Sequence, residues 1–171
     1  KAYREGMDGM EDIGSENSND IRELLLYGML CSDGIVELNE DDVKHIGDPT
    51  ETAIVLAAHR NGMTRDEYQR KYPRLQEIPF DSDRKAMSVV IRMESKNIVI
   101  VKGAFDVLAS KCIAGNIEKA RKMNEQMSSN ALRVIAVAYK EIKEVPKTPK
   151  PEVLESDLVF MGLVGMIDPP R

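Results

Sequence analysis

Four short apolar runs limit what this chain can become more than any other feature. They lie at 87–93 (MSVVIRM), 98–101 (IVIV), 132–139 (LRVIAVAY) and 158–167 (LVFMGLVGMI), and valine or isoleucine recurs in each. Such β-branched stretches read as strands. None approaches the ~20 apolar residues of a membrane-spanning helix. Glu94-Ser95-Lys96-Asn97 is a short polar link between the first two runs, which therefore form a hairpin. Helical patterns fill the other gaps. The expectation is an α+β domain, a mostly antiparallel twisted sheet flanked by helices.

The helices announce themselves by period and punctuation. Ile21, Leu24, Leu25, Tyr27 and Leu30 mark one over 19–31, stopped by Ser32-Asp33-Gly34. The next starts at Gly47-Asp48-Pro49-Thr50-Glu51: Asp48 can cap, Pro49 suits the first helical position, and Glu51 stands three residues after the cap. Gly62 supplies its stop. A short helix over 64–71 ends at Pro73. Two more are expected from Ala104 to about Lys111 and over 117–128, the latter with Ala120, Met123 and Met127 on one face. Residues 145–151, with three prolines among lysines, read as a surface loop, and the first 17 as a loose lead-in. With 171 residues, 42% of them hydrophobic, the chain fits one domain.

Several function classes drop out. A net charge of -5 without a clustered basic surplus argues against nucleic acid. Neither a G-x-x-x-x-G-K-[ST] loop nor a G-x-G-x-x-G turn is present. Two histidines, His45 and His59, sit in unrelated contexts and read as incidental; Cys31 and Cys112 lack metal-ligand spacing. No nucleophile–base set, catalytic residue or metal site can be named, which leaves little room for a stand-alone enzyme. The polar, acidic start resembles neither a signal peptide nor an anchor, and a reduced, cytosolic compartment follows from the cysteine usage.

Four segments carry more information. GDPTETA at 47–53 offers Glu51, which helix capping alone could explain. PFDSDRKAMSV at 79–89 sets Phe80 beside a polar bend with Lys85 and Met87; a core aromatic is the ordinary reading, an adenine platform the other. IVIVKGAFD at 98–106 brings Lys102 to a strand end, where Gly103 permits close approach. ALRVIAVAY at 131–139 places Arg133 in an apolar strand, where its charge needs a partner or an open pocket.

Taken in order, these segments resemble the nucleotide-binding domain of P-type cation-transporting ATPases over almost the whole chain, the calcium-pump subgroup most closely. GDPTETA is similar to that family's Gly-Asp-Pro-x-Glu-x-Ala, PFDSDRKAMSV to Pro-Phe-x-Ser-x-x-Lys-x-Met-Ser, VKGAFD to Lys-Gly-Ala-Pro-Glu, and Asp168-Pro169-Pro170-Arg171 to a hinge at 167–171. The resemblance implies that Phe80 stacks on adenine and that Glu51 bonds near the adenine amino group or orients Lys85. It further implies that Lys85 and Met87 line the base and ribose. Lys102 closes the floor, Gly103 admits the base, and Arg133 reaches toward the phosphates. ATP is the implied ligand, with Mg2+ in the intact pump. The implied partners are its phosphorylation, actuator and transmembrane domains, with this monomeric piece on the cytoplasmic face of the membrane. The phosphorylated aspartate of the family's Asp-Lys-Thr-Gly-Thr motif is not in this sequence, so the expected activity here is ATP binding without hydrolysis. Phe105-Asp106 replaces the family's Pro-Glu, and Ser82 stands where several calcium pumps carry arginine, leaving open whether Arg84 takes that place. These departures motivate a second reading, a nucleotide-insensitive interaction module of the same pump.

Overall fold

The computed structural model describes residues 1–38 and 42–167. Its frame is a seven-stranded sheet. The expected hairpin is there, tighter than its sequence suggested. β5 (Ala86–Met93) and β6 (Lys96–Gly103) turn through Glu94-Ser95 alone, with Glu94 at φ 58°, and Lys96 and Asn97 already pair. β8 (Leu132–Ile142) lies beside β6 and β9 (Leu158–Ile167) beside β8, both antiparallel. β4 (Arg74–Asp81) adds to the free side of β5. At the far edge, β1 (Ala2–Arg4) pairs antiparallel with β9, and the short β7 (Cys112–Ala114) pairs with β9 in parallel. A separate hairpin joins β2 (Ile35–Leu38) to β3 (Val43–Ile46).

Because side chains alternate along a strand, each central strand feeds two cores. On one face Met87, Val89, Ile100 and Val137 pack against α1 (Asn19–Leu30) and α2 (Pro49–Arg60), with α3 (Arg65–Lys71) flanking them. On the other, Val90, Val99, Val101 and Ala138 meet α4 (Phe105–Ala109), α5 (Ile117–Ser129) and the one-turn α6 (Pro151–Leu154). Ala120 and Met127 of α5 are buried as its pattern predicts, and Met123 is partly so. Gly62 ends α2 at φ 82°, where Met63 N–H reaches Ala58 O at 2.9 Å. That left-handed turn is why glycine stands there.

Two expectations change. The first 17 residues are not wholly loose: Ala2 and Tyr3 are fully buried in β1, since β9 offers them an open edge and Ala2 also bridges Glu11. The 145–151 loop gives way at Pro151 to α6, a proline at the first helical position being favourable. The expected hinge beyond Ile167 falls outside the described residues.

Burial gives the fold an alkaline limit. Cys31, at the C-terminal end of α1, is fully buried against the sheet, its Sγ 3.5 Å from Met87 O, and burial pushes its thiol from 9.0 up to about 12. Tyr27, also buried, is pushed from 10.0 up to about 12. In the unfolded chain these groups ionise near their ordinary values, so the folded state binds more protons. Their stabilising contribution is complete below pH ~9 and is lost as pH rises toward ~12. Melting temperature should therefore fall between pH 9 and 11, and the fall should be shallower in Cys31→Ala; an equal fall in both chains would refute the assignment.

Candidate functional site

β4, β5, β6 and β8 lie side by side, and each sends a side chain to the same place on the α2 face. Met87 and Lys102 are direct partners across β5 and β6, and Lys102 pairs in turn with Val137 of β8. Ile135 and Arg133 precede Val137 by two and four residues, so the period of two puts them on that same face. Phe80 comes from the end of β4. The start of α2 closes the other side with Asp48, Thr50 and Glu51. Together with Gly103 these residues enclose a cavity of about 150 Å³. Pockets that swallow a drug-sized ligand run to roughly 300–1,000 Å³, so this one admits a planar ring and leaves the rest of a larger ligand outside.

Phe80 is 60% exposed, unlike Phe105 and Phe160, which pack edge to face within the core. An aromatic ring left that open beside a cavity has no packing reason to be aromatic. The core-aromatic reading therefore does not hold for Phe80. The bend after it is organised by Asp81, whose Oδ1 accepts from the backbone N–H of Asp83 at 2.7 Å and of Arg84 at 3.3 Å. Those bonds hold its carboxyl below the ordinary range.

Lys102 is 5% exposed, and its Nζ lies 3.0 Å from Ser32 Oγ and 3.5 Å from Glu51 Oε2. Ser32 Oγ in turn donates to Gly28 O at 2.7 Å, one turn back in α1. Arg74 of β4 secures this corner by donating to Leu30 O and Ser32 O and pairing with Asp33 at 2.7 Å. The orphan carbonyls at the α1 C-terminus thus have a guanidinium partner. Glu51 is not spent on capping: Asp48 Oδ1 takes the Thr50 N–H at 2.8 Å, while the Glu51 carboxylate accepts from Asp33 N–H and faces Lys102. Arg133 is exposed and its Nη1 donates to Thr50 Oγ1 at 3.3 Å, tying β8 to α2 across the mouth.

Six of the seven candidate residues, Glu51, Phe80, Met87, Lys102, Gly103 and Arg133, are brought together. Lys85 stands apart from the lining, exposed at φ 57°, and Glu51 pairs with Lys102 in place of Lys85. The cavity also takes Asp48, Thr50 and Ile135, which sequence reasoning does not assign to the site, although the first two lie inside GDPTETA and Ile135 is two residues from Arg133. Both histidines serve the scaffold: His45 Nδ1 meets Thr52 Oγ1 at 2.8 Å, and His59 Nε2 accepts from Arg65 N–H at 3.2 Å. Among the described residues no group of three or more His, Cys, Asp or Glu could hold a metal ion, and no helix is long and apolar enough to cross a membrane.

A family model described as "P-type ATPase, cytoplasmic domain N" matches residues 20–171. The calcium-transporting ATPase of Bacillus subtilis is 36% identical over 94% of this chain, which covers 19% of that protein. Calcium-transporting ATPase 1 of Lactococcus lactis is 37% identical over 92% of the chain, covering 20% of its length. The Saccharomyces cerevisiae protein of the same name is 32% identical over 90%, covering 17%. The chain thus spans about a fifth of the length of these relatives.

Proposed function

The chain belongs to the P-type ATPase family as its cytoplasmic N domain, and on that premise we propose that it holds ATP by the base and presents the triphosphate outward. The observation that carries this reading is an open aromatic ring, Phe80, set over a ring-sized cavity whose floor is a buried, ion-paired lysine. The base stacks on Phe80 against Met87 and Ile135. Glu51 and Lys102 supply an acceptor and a donor at the floor, and Arg133 stands at the mouth on the phosphate side. One stack with a few hydrogen bonds yields roughly 4–6 kcal/mol, a Kd of about 0.05–1 mM. The chain alone is thus a weak binder.

In the whole pump, the γ-phosphate is delivered to an aspartate of the phosphorylation domain, with ATP's magnesium held outside this chain. The actuator and transmembrane domains complete a cation transporter on whose cytoplasmic face this domain sits. Calcium is the ion that the names of the relatives suggest.

An NMR titration with ATP tests the reading. Resonances of Glu51, Phe80, Lys102 and Arg133 should shift together and saturate. Phe80→Ala, at an exposed position, should keep the fold and weaken binding about 5- to 30-fold, the worth of roughly 1–2 kcal/mol of stacking. A folded chain with no shifts at millimolar ATP would overturn it in favour of a partner-binding module.

A further inference from the structure

Arg84 belongs to the bend beside Phe80, yet its guanidinium is only 17% exposed and is engaged through Nε and Nη2. Nη2 donates to Pro79 O at 3.0 Å and to Ala86 O at 2.8 Å, and Nε donates to Glu155 Oε1 at 2.8 Å. Pro79 and Ala86 are the residues immediately before Phe80 and Met87, the cavity residues of β4 and β5. The β4–β5 ladder slips between Ile78 and Asp81, so regular strand pairing does not hold the backbone that carries Phe80. The guanidinium bridges the strands at that gap.

Glu155, just past α6, fixes the guanidinium. Its side chain is 0% exposed, on the face of the sheet opposite the cavity, and its other oxygen, Oε2, accepts from Ser88 Oγ at 2.8 Å. Lys111 Nζ adds a cation at 3.5 Å from Oε1. A buried carboxylate persists only with such compensation. Donating to two carbonyls from Nη2 while Nε holds a carboxylate needs a planar guanidinium locked in orientation, and Glu155 supplies that lock.

We propose that Glu155 is a positioning residue for base binding: through Arg84 it sets the backbone that carries Phe80 and Met87. Arg84, spent on this clamp, is then not a substitute phosphate ligand for the arginine absent at Ser82. The proposal rests on the ATP reading above.

The test is Glu155→Gln in the 171-residue chain, titrated separately with adenosine and with ATP, with the Phe80 ring resonances also followed in the free chain. Kd should rise about fivefold for both ligands alike, and the free Phe80 signals should shift and broaden while unfolding stays cooperative. A loss confined to ATP would assign Arg84 to the phosphates and overturn the proposal. A lower melting temperature with both Kd values and the Phe80 signals unchanged would make Glu155 merely structural, overturning it equally. If Glu155→Gln does not fold, Arg84→Lys keeps the charge, ends one atom short of Nη2 with no second nitrogen for Glu155, and carries the same expectations. Were the parent chain to bind neither ligand, the ATP reading would fall by itself. The free Phe80 signals would still decide the positioning role, which unmoved signals would overturn.

Discussion

Glu51→Ala should lower the stability of the chain by about 3 kcal/mol, whereas Lys102→Met should cost only about 1 kcal/mol. The asymmetry follows from burial. Lys102 is 5% exposed and, among the described residues, its ammonium meets the Ser32 hydroxyl and the Glu51 carboxylate. Removing one partner of a buried ion pair strands the other charge, at a cost of roughly 3–5 kcal/mol. The low end applies because the pair is 3.5 Å apart and the Glu51 side chain is 18% exposed. Methionine keeps most of the lysine's apolar stem and strands nothing comparable, since Glu51 retains the Asp33 N–H and a path to water. Urea unfolding of the two variants measures the difference. Equal losses would mean that the pair is an ordinary surface contact. Function separates the two in the opposite sense: Lys102→Met should stay folded and still lose ATP, because the floor of the cavity loses its donor.

That pair also marks where sequence reading stops. α1, α2, α5 and β9 could be read from periodicity, caps and glycine stops because the forces that set their ends lie within a few residues. β4 could not: its sequence RLQEIPFD contains a proline and few apolar residues, and as an edge strand it owes its conformation to β5. β1 is three residues long and exists because β9 has a free edge. Within the site, the residue types at 80, 102 and 133 stood out because each broke a local rule, an aromatic at a polar bend or a charge in an apolar strand. Their pairing could not be read, although Glu51 itself stood out in GDPTETA. Ser32 and Glu51 reach Lys102 from 70 and 51 positions away, and only the packing of α1 and α2 on one face brings them there. Lys85 lies off the cavity lining for a backbone reason, since φ 57° turns the chain at that residue and the motif's spacing does not reveal it.

Gly103→Ala should cost about 3 kcal/mol and abolish ATP binding in whatever fraction remains folded. A glycine at this strand end permits close approach of a ligand or of backbone, and backbone is what crowds it. A Cβ built on Gly103 would clash with Lys85 O and stand 3.0 Å from both Ala86 Cα and Leu108 Cδ1. Two of these atoms are backbone, so no side-chain rotation relieves the clash, and overpacking against a rigid wall sits at the upper end of the usual ~1–3 kcal/mol. Relief requires the Lys85–Ala86 segment to move. Ala86 O is one of the carbonyls that Arg84 clamps, and Lys85 O accepts from Ala104 N–H at 3.2 Å, so the same shift disturbs Met87 and the strand end that carries Lys102. Gly9→Ala is the control, because its Cβ would meet nothing within 4 Å and stability should stay within ~0.5 kcal/mol. Denaturant unfolding of both variants, followed by an ATP titration under folding conditions, decides the matter. If Gly103→Ala matched the parent chain in stability and lost only ATP, the glycine's constraint would lie on the ligand side of the strand; loss of both ties the binding cavity to the packing of β6 against the bend beside Phe80.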